Sequence, residues 1–208
     1  MAAADDLLFD GPRRADRTVV LAHGAGAAMD SSFMNVMARG LAAHGLRVVR
    51  FEFPYMQVRR GTGRRKAPDR APVLTARWAE VVERLGPAER LVIGGKSMGG
   101  RIASTIADEL GVRGLVCLGF PFHPAGRPER LRVAHLKELR TPTLIVQGTR
   151  DALGSRDEIE AYELSASIRL VFLEDGDHSF KPRLRSGRTE QQNLREAIDA
   201  VADFAGQF

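Results

Sequence analysis

Residues 90–110 read RLVIGGKSMGGRIASTIADEL. The apolar run at 90–94 is strand-sized. It ends in Gly94 and Gly95, and a helical pattern begins at Met98. Over 98–110 the side chains of Ile102, Ala103, Ile106, Ala107 and Leu110 fall on one stripe, and Gly111 follows as a C-cap. Between strand and helix stands Ser97, with Gly95 and Gly99 two positions to either side. This G-x-S-x-G spacing suits a tight turn that holds a serine in a strained conformation above a sheet, the glycines giving the turn room.

The rest of the chain repeats the alternation. Strands are expected at 18–23, 46–53, 114–119, 143–147 and 168–173, mostly short and nearly continuous in apolar residues, as in a parallel sheet covered on both faces. A further short strand is expected near 7–9. Helices are expected at 33–44, 73–85, 156–165 and 189–205. The order predicts a single α/β domain with a mostly parallel sheet of about six to seven strands. Residues 54–72 read as a Pro/Gly/Arg-rich loop. Residues 120–142 have room for a short helix at 131–139, too little for an independent cap.

Composition narrows the classes. A chain of 208 residues suits one compact domain. Its one cysteine, Cys117, lies within a strand, so neither an internal disulfide nor a thiolate metal site is expected. The first eleven residues carry Asp5, Asp6 and Asp10 with no basic or apolar region, unlike a signal peptide, and no apolar run approaches the roughly 20 residues of a membrane span. The expectation is a cytoplasmic protein. The net charge of +5 resides in one segment: residues 59–70 hold Arg59, Arg60, Arg64, Arg65, Lys66 and Arg70 against Asp69, and the remainder is neutral. That segment reads as a solvated face or as an anion site beside a catalytic pocket, with Arg64 and Arg65 as contacts. It lacks the interleaved aromatics that stack single-stranded bases, so nucleic acid is not an expected partner.

Two chemistries compete for the turn. Gly95-Lys96-Ser97 resembles the tail of a phosphate-binding loop, but that loop needs a glycine where Arg90 stands, and Leu91 to Ile93 are strand. The nucleotide reading fails, and no metal or other cofactor is expected. A serine nucleophile instead needs a histidine to accept its proton, and an acid to hold the histidine. Among His23, His44, His123, His135 and His178, only His178 follows the last strand. Asp151 follows the preceding one, in Gln147-Gly148-Thr149-Arg150-Asp151; Asp175 and Asp177 lie closer to His178 but in a loop where carboxylates form turns. An oxyanion would be met by the amide of Met98 and that of Ala25, or alternatively Gly26, in the small-residue loop His23-Gly24-Ala25-Gly26. Tyr55, Phe122 and His123 are further candidate substrate contacts.

Taken together, His23-Gly24-Ala25-Gly26, Phe53-Pro54-Tyr55-Met56, Gly94 to Arg101, Gly119 to Pro124, Gln147 to Asp151 and Asp177-His178-Ser179-Phe180 resemble the small α/β-hydrolase family related to dienelactone hydrolases, a group that also holds a testis-expressed mammalian protein and a chromatin acetyltransferase complex subunit. The resemblance implies an α/β-hydrolase fold without a sizeable cap, with Ser97, Asp151 and His178 at triad positions. It implies a serine hydrolase acting on a small ester or thioester. The alternative is a silent binding or scaffold protein on the same fold, contacting an anionic partner through residues 59–70. Dienelactone hydrolases proper use a cysteine nucleophile. Ser97 stands at that position here.

Overall fold

Successive residues of each inner strand point to two different apolar cores, and helices cover both. In the computed structural model, which describes residues 6–208, the strands are β1 (Leu7–Asp10), β2 (Thr18–Ala22), β3 (Arg47–Phe51), β4 (Leu91–Lys96), β5 (Gly114–Leu118), β6 (Thr143–Gly148) and β7 (Ile168–Leu173). They form one sheet in the order β1-β3-β2-β4-β5-β6-β7, parallel except for the β1 edge, which runs antiparallel to β3. The strand expected near residues 7–9 is therefore present. The extreme N-terminal reading, at residues 1–5, lies outside the described residues.

The helices are α1 (Ser32–Ala43), α2 (Pro54–Thr62), α3 (Ala71–Leu85), α4 (Met98–Ser104), α5 (Ala107–Leu110), α6 (Arg156–Glu160) and α7 (Glu190–Gly206). Val20, Ala22, Phe51, Ile93 and Cys117 pack with Trp78 of α3 and Ile102 of α4 in one core. Val19, Leu21, Val92 and Val116 pack with Met37 and Leu41 of α1 and Val201 and Phe204 of α7 in the other. Both faces of β2, β4 and β5 are thus dry, which is why their sequences read as continuous apolar runs rather than alternating ones.

Four expectations need correction. The stretch 54–72 is not a loop throughout: Pro54 occupies the first turn of α2, where its missing N–H costs nothing, and Gly63 ends the helix in the left-handed conformation (φ 69°). Tyr55 and Met56 are the buried anchors of this otherwise polar helix. The helix expected over 98–110 is two helices. Ser104 and Thr105 turn their hydroxyls back onto the carbonyls of Arg101 and Ile102 (2.7 Å each), a local bond that competes with the helical ladder. The helix expected at 156–165 stops at Glu160, and the one at 131–139 is a single 3-10 turn, Ala134–Lys137.

The sheet order places a functional crevice before any site residue is considered. From β2 the chain crosses to β3 on one side and then returns to β4 on the other, so the connections leave the C-terminal ends of β2 and β4 in opposite directions. Ligands of open α/β sheets bind at such a switch point.

Candidate active site

The turn after β4 carries Ser97 at φ 51°, ψ −114°, a conformation costly for a residue with a side chain. The strain is held by packing that only glycine permits. A Cβ on Gly95 would lie 2.0 Å from the Ala22 carbonyl oxygen, and one on Gly99 would lie 2.5 Å from the same atom. The turn is thereby pressed against the end of β2, and the serine hydroxyl is lifted clear of the sheet.

Ser97 Oγ donates to His178 Nε2 at 2.9 Å, and His178 Nδ1 donates to Asp151 Oδ2 at 2.7 Å. The ionised carboxylate only accepts, so the Nδ1–H tautomer follows, leaving Nε2 free to accept from serine. Burial is graded along the chain of bonds: the Asp151 side chain has no exposure and that of His178 has 31%. Asp151 is also held by the Leu153 amide (2.8 Å) and by Gln147 Nε2 (2.9 Å). The nearer carboxylates are occupied elsewhere. Asp175 bonds Arg183 and Arg150, and Asp177 accepts from the amides of Ser179 and Lys181 within its own turn.

Across the crevice, the loop after β2 is tied down by its carbonyls. His23 Nδ1 donates to the Gly24 carbonyl (2.7 Å) while His23 Nε2 accepts from the Phe53 amide (3.2 Å). Burial lowers the pKa of His23 and keeps it neutral, as that pair of bonds requires. Tyr55 Oη donates to the Ala25 carbonyl at 2.9 Å. In a trans peptide the N–H points opposite to the C=O. Anchoring the Gly24 and Ala25 carbonyls on the buried side therefore turns the amides of Ala25 and Gly26 away from it. Met98 is the first residue of α4, so its amide has no intrahelical acceptor.

A cavity of about 380 Å³ opens here, with Ser97, Met98 and Ala25 among its walls. Leu74, Ile102 and Leu153 supply apolar surface, and Arg101 and Arg132 supply charge. A larger cavity, about 580 Å³, lies at the opposite end of the strands, around Thr18, Arg47 and Leu91, away from these groups.

The structure does not place the expected substrate contacts on this cavity. Tyr55 and Phe122 are fully buried: Tyr55 braces the Ala25 loop, and Phe122 packs edge-on against Phe120 at 4.8 Å. His123 is buried between the Pro124 carbonyl and the Glu158 carboxylate. Gly26 is exposed and accepts from Arg59, and Arg64 and Arg65 are exposed and outside the cavity walls. Three groups were given no site role by the sequence. Arg101 closes the stretch Gly94 to Arg101, where it reads as a helix-capping or pairing residue, and Arg132 carries no motif. Gln147, which opens the stretch Gln147 to Asp151, bridges Asp151 to the Phe120 backbone, a role the sequence signals only as an amide at the end of an otherwise apolar strand. Among the described residues no cluster of His, Cys, Asp and Glu is arranged to hold a metal ion, and no helix is long and apolar enough to cross a membrane.

A mostly parallel seven-stranded sheet with a strained serine on the turn after a central strand, and no large cap, defines an α/β hydrolase fold. The chain belongs to the alpha/beta hydrolase domain family, whose model matches residues 15–206. It is similar to a dienelactone hydrolase from Anabaena variabilis (22% identity, TM-score 0.70, covering 97% of this chain and 91% of that one). It is also similar to an α/β serine hydrolase without lid from Xanthomonas campestris (22%, TM-score 0.68, 97% and 88%). Est1E from Butyrivibrio proteoclasticus, seen with ferulic acid bound, matches at 13% identity and a TM-score of 0.70 (96% and 95%). At these identities the likeness is one of fold.

Proposed function

We propose that this chain is a serine hydrolase that cleaves a small ester or thioester by acyl transfer, with Ser97, His178 and Asp151 as its triad. The observation that carries the reading is the continuous pair of hydrogen bonds, 2.9 and 2.7 Å, from a strained serine hydroxyl through an imidazole to a fully buried carboxylate. In the first step His178 Nε2 takes the Ser97 proton as Oγ attacks the carbonyl carbon. Asp151 holds the ring and stabilises the imidazolium that forms. The amides of Met98 and Ala25 meet the developing oxyanion. His178 then protonates the leaving oxygen or sulfur, and water, deprotonated by the same ring, releases the acyl group. No metal or cofactor enters the sequence of steps. Small esters and thioesters are favoured over peptides because their leaving groups need less assistance and the cavity is small, about 380 Å³. The ordered motifs support placing the chain in the dienelactone-hydrolase-related subgroup that includes the mammalian proteins, with serine in place of cysteine.

Labelling with a fluorophosphonate probe tests the proposal. The expected result is stoichiometric labelling that disappears in Ser97→Ala, together with hydrolysis of chromogenic short-chain esters. A folded protein that neither labels nor turns over any ester would instead be a binding protein on a hydrolase scaffold.

A further inference from the structure

Guanidinium groups that this fold buries are paired with carboxylates. Arg50, 4% exposed, meets Asp10 at 2.7 Å, and Arg77, 5% exposed, meets Asp6 and Glu80 at 2.6 and 2.7 Å. Two half-buried arginines on the wall of the Ser97 cavity lack such a partner among the described residues. Arg101 is half-buried, and among the described residues its side chain has neither a carboxylate within 4.0 Å nor a hydrogen bond; its Nε is fully buried and unpartnered. Arg132, also half-buried and also lining the cavity, has no side-chain partner among the described residues either.

Their placement is tied to the reacting serine. Arg101 lies one helical turn beyond Ser97, its amide donating to the Ser97 carbonyl at 3.0 Å, and both residues line the same cavity. Arg132 arrives from the loop after β5, where its amide donates to the Phe122 carbonyl at 2.7 Å. Among the described residues the cavity's one acid is already committed: Asp69 accepts from the Tyr55 amide (2.8 Å) and from Lys66 (3.1 Å). His135, beside Arg101, is held neutral by burial and by that arginine's charge, and it bonds Ser104. The field of Arg132 and the loss of water both act against the Arg101 cation. Two like charges facing one small cavity, with no counterion among the described residues, are a cost to the fold that an anionic ligand would remove.

We propose that Arg101 and Arg132 form a carboxylate subsite of the Ser97 cavity, so that the favoured substrate is a small ester or thioester bearing a free carboxylate. This rests on the hydrolase reading and gives that site a substrate class. A guanidinium fork matches a carboxylate bidentately, and the cavity, near 380 Å³, suits a small molecule of this kind.

The test compares kcat/KM for 4-nitrophenyl hemiglutarate, charged on the acyl side, 4-acetoxybenzoate, charged on the leaving group, and neutral 4-nitrophenyl butyrate. The expected wild-type preference is about tenfold or more for one charged ester over the neutral one, with the preferred arm showing which side of the scissile bond meets the arginines. In Arg101→Gln and in Arg132→Gln the charged-to-neutral ratio should fall about tenfold, and Arg101→Lys should restore part of it. Arg64→Gln, outside the cavity, should leave the ratio as it was. Equal rates on charged and neutral esters in the wild type, or an unchanged ratio in both cavity variants, would overturn the subsite. Glutarate binding by calorimetry separates this from failure of the hydrolase reading. Binding lost in Arg132→Gln while Ser97 stays unlabelled would uphold the anion site without the chemistry. Labelled Ser97 with no glutarate binding and no charge preference would do the reverse.

Discussion

Residues 54–72 and the Ser97 cavity are both rich in positive charge, and the fold treats them in opposite ways. In the first region Arg60 bridges the buried Glu52 (2.6 and 3.0 Å) and Asp30 (2.8 and 2.9 Å), tying α2 to the body of the protein. Arg59 bonds the Gly26 carbonyl and Lys66 pairs with Asp69. There, charge serves architecture or faces water. In the second region Arg101 and Arg132 line the serine's cavity with no carboxylate partner among the described residues. Charge density along a sequence therefore locates cations, but a binding site is located by the cations that the fold declines to neutralise.

The largest expected effect lies in the chemistry itself. Ser97→Ala and His178→Ala should each lower kcat on any accepted ester by about 10⁴-fold or more, and Asp151→Asn should fall in a similar range because it forces the wrong tautomer. Circular dichroism should stay native, since neither Ser97 nor His178 carries core packing. An Asp151→Asn variant with near wild-type kcat would show that the buried end of the hydrogen-bonded chain does not act with its head.

Lys96 gives the next test, and its sign is opposite. Its ammonium is buried without a hydrogen-bond partner among the described residues, 5.6 Å from the ring centre of Phe33 and 5.9 Å from that of Phe180, although part of the residue reaches the surface. Burial depresses its pKa from 10.5 to about 8, against the opposing pull of Asp151 and Asp177. Between those values the unfolded chain binds more protons than the folded one, so stability rises with pH across that window. Below pH 8 the folded protein carries the full cost of the buried charge, on the order of 3 kcal/mol. Lys96→Met should therefore stabilise at pH 7 by about 1–3 kcal/mol, and the gain should fade as pH approaches 10.5. Denaturant titrations of both proteins at pH 7 and pH 10 measure it. A destabilised variant at pH 7 would mean that the field of Asp151 outweighs the desolvation of the lysine.

The same contrast separates what the sequence discloses from what it hides. The sheet was legible because β2, β4 and β5 are buried on both faces and so are written as unbroken apolar runs. The Ser97, Asp151 and His178 constellation was legible because each falls directly after a strand of a parallel sheet, and chain order then fixes spatial order. Helix α2 was not, since only Tyr55 and Met56 are buried along it and its ends are set by Pro54 and Gly63, residues that equally mark a loop. Arg101 and Arg132 were invisible as a pair because they meet only through the path of the loop after β5, and nothing local encodes that path. Gln147 was hidden for a similar reason, its partners Asp151 and Phe120 belonging to different loops.

The smallest effects sharpen the other side of the comparison. Arg60→Ala removes the guanidinium that neutralises Glu52, a 1% exposed carboxylate left, among the described residues, with a long bond from the Met29 amide (3.4 Å). The Arg60 side chain is itself 46% exposed, so water will partly replace it, and the expected loss is about 1–3 kcal/mol rather than the larger cost of opening a fully buried pair. Arg64→Ala and Arg65→Ala, a few residues further on, should each change stability by no more than about 0.5 kcal/mol. Urea melts of the three variants, run side by side, measure whether one arginine of this segment is structural while its neighbours only face solvent. Equal losses from all three would mean that the segment acts as one cooperative charged surface, and the distinction between paired and unpaired cations would then have to be drawn within the cavity alone.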